Sequence, residues 1–174
     1  MKKYRFTGQT MKYDGCILCR IESLIDIPLH NIKAGDLGGW LESEDNLAQS
    51  GSCWVDKTSK VYDNARISED ALIYDNAQVF DNAKVSGKAK VGVDSWVYEQ
   101  AEISGSAEVF MEARVCGSAK IFGHAQIFDG ASVKKCELKG FDMAFGERRI
   151  TNWYTSRRRP ENVNPVFIKG PVHN

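Results

Sequence analysis

The chain has 174 residues, and its 23 Lys and Arg balance 23 Asp and Glu to a formal charge of zero, with 26% charged and 43% hydrophobic residues. Such values belong to a folded globular chain with a core of ordinary size, so wholesale disorder is excluded, and a neutral total argues against attachment to double-stranded nucleic acid through an overall field. No apolar run nears the roughly 18 residues of a membrane span, and no apolar segment follows the basic start Met1-Lys2-Lys3-Tyr4-Arg5; neither a span nor a signal peptide is expected, and the chain reads as cytoplasmic.

Residues 1–34 read as a small β cap. Tyr4-Arg5-Phe6 and Cys16-Ile17-Leu18-Cys19-Arg20-Ile21 are predicted strands around the turn-rich Tyr13-Asp14-Gly15. The Cys16–Cys19 spacing is that of a CxxC pair, but no second pair completes a zinc site. Without a secretory signal, the five cysteines (Cys16, Cys19, Cys53, Cys116, Cys136) read as reduced thiols, and no metal is expected. Gly35-Asp36-Leu37-Gly38-Gly39-Trp40 then opens an irregular first coil with Leu37 in frame and an acidic loop displacing the next slots. No amphipathic helix follows these glycines to bind a phosphate, so they read as backbone geometry.

From Val55 a rhythm of six takes over. Val55, Val61, Ile67, Ile73, Val79, Val85, Val91, Val97, Ile103, Val109, Val115, Ile121, Ile127 and Val133 fill every sixth position. Four residues after each aliphatic, as far as position 131, comes Ser59, Ala65, Ala71 and so on to Ala131, always Ala or Ser. A helix needs a period of 3.6 and a meander needs hairpin turns of varied length; neither accounts for this frame. The unit is small-x-aliphatic-x, a short strand with two inward residues, followed by a two-residue corner. Asp63-Asn64, Asp75-Asn76, Asp81-Asn82 and Gly105-Ser106 supply the Asn, Asp and Gly that tolerate positive φ at such corners. Three sides close a triangular coil of eighteen residues, and stacked triangles make three parallel sheets around one narrow core.

Outward residues sort onto faces by steps of eighteen. One face presents Lys60/Tyr62, Gln78/Phe80, Trp96/Tyr98 and Arg114/Cys116. A second, mostly polar, presents Arg66/Ser68, Lys84/Ser86, Glu102/Ser104 and Lys120/Phe122. The third presents Leu72/Tyr74, Lys90/Gly92, Glu108/Phe110 and Gln126/Phe128. Aromatic columns on the first and third faces exceed what a soluble monomer normally leaves bare; unlike faces pairing cyclically predict a homotrimer, and the alternative is that the cap or tail folds over these columns within one chain. After Val133 the frame ends, with Lys139 in the aliphatic slot and Glu137 in the small one. Residues 138–174 read as an irregular basic tail; from 134 onward nine basic residues face four acids, which leaves the body acidic.

The frame resembles the hexapeptide-repeat, left-handed β-helix family, and that resemblance alone supplies the handedness. The expected fold is therefore all-β: a cap over 1–34, a left-handed parallel β-helix over 35–137, and the tail packed on it or on a neighbouring subunit. Gly35-Asp36-Leu37-Gly38-Gly39-Trp40 with Cys53-Trp54-Val55 is similar to the lead-in of the YdcK-like group of bacterial and phage-borne proteins, which carry an acyltransferase label. The resemblance, over roughly residues 33–133, implies parallel trimers and a phage-type origin, with a role in defence evasion as one consequence.

Chemistry is sparse. A hexapeptide acyltransferase uses a histidine base beside an acyl-CoA groove; His124 is the sole repeat histidine, but Ala125 follows it where such enzymes often place an acid, and no long loop builds a pocket. Ligand capture reads better. Phe80, Trp96 and Tyr98 with Arg114 offer aromatic surface and a cation, and Arg148, Arg149, Arg157, Arg158 and Arg159 add charge that a neighbour's tail can bring. The expectation is a non-catalytic, cofactor-free binding protein for a small anionic ligand, of nucleotide class, or a host protein. A CoA-dependent acyltransferase and a structural spacer are the alternatives.

Overall fold

The structure, a computed structural model, describes residues 1–146, Arg149–Thr151 and Phe167–Ile168. Short strands recur at every sixth residue from Trp54–Val55 onward and stack into three sheets, so the middle of the chain is a parallel β-solenoid of about six coils. Partners stand eighteen residues apart, as in Lys60↔Gln78, Gln78↔Trp96 and Trp96↔Arg114 on the first face. Glu102 pairs with both Lys84 and Lys120 on the second, and Lys90 with Glu108 on the third. The face assignments made from the spacing hold.

The reason lies in two inward columns. Every Val and Ile of the frame and every small residue from Ser59 to Ala131 is at most 1% exposed. Three sides meet close to the axis, and alanine opposite a branched aliphatic fills that space at interior density. The backbone is satisfied from coil to coil: Lys60 N–H donates to Ala77 C=O at 3.0 Å and Trp96 N–H to Ala113 C=O at 2.9 Å. Corners turn on a left-handed residue, Asp63, Glu69, Asp75 and Asp81 in the first of them and Gly87, Gly105 and Gly123 in later ones.

Both ends depart from the frame. Strand β1 (Tyr4–Tyr13) and strand β2 (Cys16–Ser23) form a hairpin through Asp14-Gly15, both at positive φ, and β2 pairs antiparallel with β3 (Leu37–Leu41). In the first coil the aliphatic slot belongs to Leu41, which pairs with Val61, and not to Leu37, which is 38% exposed. Leu47 follows six residues later beside Ile67, and a two-residue surplus before Val55 restores the register. Gly38 and Gly39 leave no room for a side chain. A Cβ on Gly38 would stand 2.6 Å from the buried Trp54 ring, and one on Gly39 would stand 2.6 Å from the carbonyls of Asp56 and Ser59.

At the far end the repeat does not stop at Val133. Glu137–Leu138 pairs with Lys120–Ile121, Met143–Ala144 with Gln126–Ile127, and Ile150 with Val133, each seventeen residues apart. The corner at Lys135 is one residue short, so Cys136 and Leu138 take the small and aliphatic slots that a rigid step of six assigns to Glu137 and Lys139. Coil strands therefore run on beyond residue 137, and Met143–Ala144 pairs with Phe167–Ile168.

Candidate ligand-binding face

Residues on the first face meet as the spacing requires. Tyr62, Phe80 and Tyr98 stack along the solenoid with centroids 5.1 Å apart and planes within 3°, one ring per coil, because their Cα positions repeat with the inter-strand spacing. Trp96 stands edge-on to Phe80 at 6.3 Å, and the Arg114 guanidinium lies over the Trp96 ring at 4.8 Å. Arg114 is exposed and forms no ion pair among the described residues. Burial, then the Cys116 thiol and Glu99, push the Tyr98 phenol up to about 12, with Arg114 opposing.

One part of this face is closed from within the chain, by the cap, the alternative to a neighbouring subunit. The hairpin tip bends over it: Tyr13 meets Tyr62 edge-on at 5.9 Å, donates its hydroxyl to Gln78 Oε1 at 3.0 Å and takes the Lys60 ammonium over its ring at 4.7 Å. Tyr62 is left 3% exposed. The open stretch begins at Phe80. The third face carries its own column, Phe110, Phe128 and Phe145, at 5.2 and 5.5 Å, and Tyr74 lies across Gly92, where a Cβ would fall 2.2 Å from the ring.

The acidic edge has a structural role. Glu42 accepts from the N–H of Asp63 at 2.6 Å, Asp63 from Asp81 at 3.1 Å and Asp81 from Glu99 at 2.9 Å. Each carboxylate thus caps the left-handed corner one coil on. Cys16, Glu42 and Asp63 bring a thiol and two carboxylates within 4.8 Å at the hairpin tip. Burial first, then those two acids, raise the Cys16 thiol, which keeps it protonated.

His124 stands exposed at its corner and stacks on Phe141 at 5.1 Å, with no carboxylate hydrogen-bonded to its ring among the described residues. Of the tail arginines, Arg149 enters a strand beside Ser132, while Arg148, Arg157, Arg158 and Arg159 lie outside the described residues. No helix among the described residues is long and apolar enough to cross a membrane. No protein-family model matches the chain, and no curated protein matches it either.

Proposed function

We propose that this solenoid works by binding and performs no turnover, as a homotrimer of the left-handed hexapeptide-repeat type that takes a small anionic ligand on its first face. Arg114 carries the reading. Its guanidinium is exposed, lies over Trp96 and has no carboxylate partner among the described residues, an arrangement that suits a phosphate or carboxylate better than packing alone requires. The stacked rings of Tyr62, Phe80 and Tyr98 spend their faces on one another, so the column offers edges, and the anionic part of the ligand is what this face selects.

The test is thermal unfolding of the full chain against a panel of nucleoside phosphates, inorganic phosphate and acetyl-CoA. A ligand present at a hundred times its Kd stabilises by about 2.7 kcal/mol, a rise of roughly 5 to 10 °C for a chain of this size. Arg114→Ala should abolish the rise, and Trp96→Ala should reduce it. No response to any anion, or an equal response in Arg114→Ala, overturns the proposal.

A further inference from the structure

Lys3, the residue before β1, is 1% exposed and points into the first coil. Its Nζ donates to the Cys53 carbonyl at 2.8 Å and lies 3.0 Å from Cys53 Sγ, with the carbonyls of Ser50 and Gly51 at 3.4 and 3.5 Å. None of these partners is a carboxylate, and a buried ammonium without one is a costly arrangement that simple packing does not require. Cys53 itself is fully buried in a small slot of the coil. The pair is tied to the carbonyls of the exposed Ser50-Gly51 turn, and a peroxide has to reach it by local opening of that turn.

We propose that Lys3 Nζ and Cys53 Sγ are a modification site, joined by a hydroperoxide through one oxygen atom into an N–O–S link that ties the cap to the first coil. The 3.0 Å separation is a hydrogen-bond contact, too long for an N–S bond and only slightly longer than the span of one interposed oxygen. The balance closes with two peroxide molecules. The first converts the thiol to a sulfenic acid and leaves as water. The Lys3 amine, its extra proton passed to solvent, then bonds through nitrogen to the sulfenic oxygen. The second peroxide takes one hydrogen from nitrogen and one from that oxygen and leaves as two waters. In all, four electrons pass from the sulfur and nitrogen to peroxide.

The experiment is peroxide treatment of the full-length protein, followed by intact-mass measurement and peptide mapping. The link adds one oxygen and removes two hydrogens, a gain of about 14 Da carried by a cross-linked pair of peptides and reversed by dithiothreitol. Cys53→Ser and Lys3→Arg should both lose it, and Lys3→Arg should leave a dimedone-reactive sulfenic acid. The linked protein should also unfold several degrees higher, as expected of a cross-link that constrains the unfolded chain. Three results overturn the proposal: Cys53 ending as sulfenic or sulfinic acid with Lys3 free, a direct S–N link that loses about 2 Da, or oxidation at Cys16 with Cys53 untouched. Wild-type peptide mapping decides the matter even if a variant fails to fold.

Discussion

Ser59 and Ser95 stand in a column of small residues, next to Gly39 and Ala77 and to Ala77 and Ala113 respectively, and their hydroxyls are fully buried without a hydrogen-bond partner among the described residues. In the sequence they count simply as small residues, because volume sets the period. In the folded molecule each also carries the desolvation of an unmade hydrogen bond, about 1 to 3 kcal/mol. Ser95→Ala keeps the volume the axis allows and removes the hydroxyl, so it should stabilise by about 1 kcal/mol in chemical denaturation. Ala101→Leu at the same depth should instead cost about 1 to 3 kcal/mol by overpacking. If Ser95→Ala destabilises while Ala101→Leu is neutral, the column is not governed by volume and burial.

At the scale of elements, the first-face stack shows what a period can and cannot announce. Counting eighteens places Tyr62, Phe80 and Tyr98 on one face, and parallel register brings them into ring contact. Cover of a column by the cap is an alternative the sequence leaves open, but nothing in a strand-turn-strand pattern says that the tip leans on Tyr62. The seventeen-residue step at Lys135 was equally hidden: one missing corner residue leaves a valid coil but makes a fixed frame read Glu137 and Lys139 as core. At the other end a two-residue surplus before Val55 hides Leu41, because a fixed frame reads Leu37 in its slot. The stack has a consequence for alkaline stability. A buried phenol keeps its proton where the unfolded chain, with a tyrosine pKa of about 10, has lost it. The stability that Tyr98 contributes is therefore whole below pH 10 and falls as pH rises from there toward about 12. Burial lowers the pKa of Lys60 on the same face, which acts in the opposite sense, so the difference between variants is the quantity to read. Tyr98→Phe should lose less unfolding temperature than wild type between pH 8 and pH 11, whereas parallel pH curves would remove burial of this phenol as the cause.

The coils stack into a three-sided column, and the corner between its two aromatic faces is unlike the other corners. In four successive coils it turns on two left-handed residues: Asp75-Asn76, Val93-Asp94, Met111-Glu112 and Asp129-Gly130. Asp, Asn and Gly suit that backbone. Val93 and Met111 do not, at roughly 1 to 2 kcal/mol each for a non-glycine left-handed residue, and Met111 is 52% exposed as well. Strained apolar residues between two half-buried aromatic columns are hard to account for in an isolated chain and are accounted for in the proposed trimer, where this corner meets neighbouring copies. The period exposed the columns, but the strain at the corner is a property of φ and could be read only from the fold. Met111→Asn separates the two effects, because asparagine relieves the corner while removing the apolar contact. In sedimentation velocity the variant should shift from trimer toward monomer, and its monomer should unfold no lower than that of wild type. A wild-type chain that sediments as a monomer at every concentration, or a Met111→Asn trimer as tight as wild type, would leave the strain unexplained by assembly.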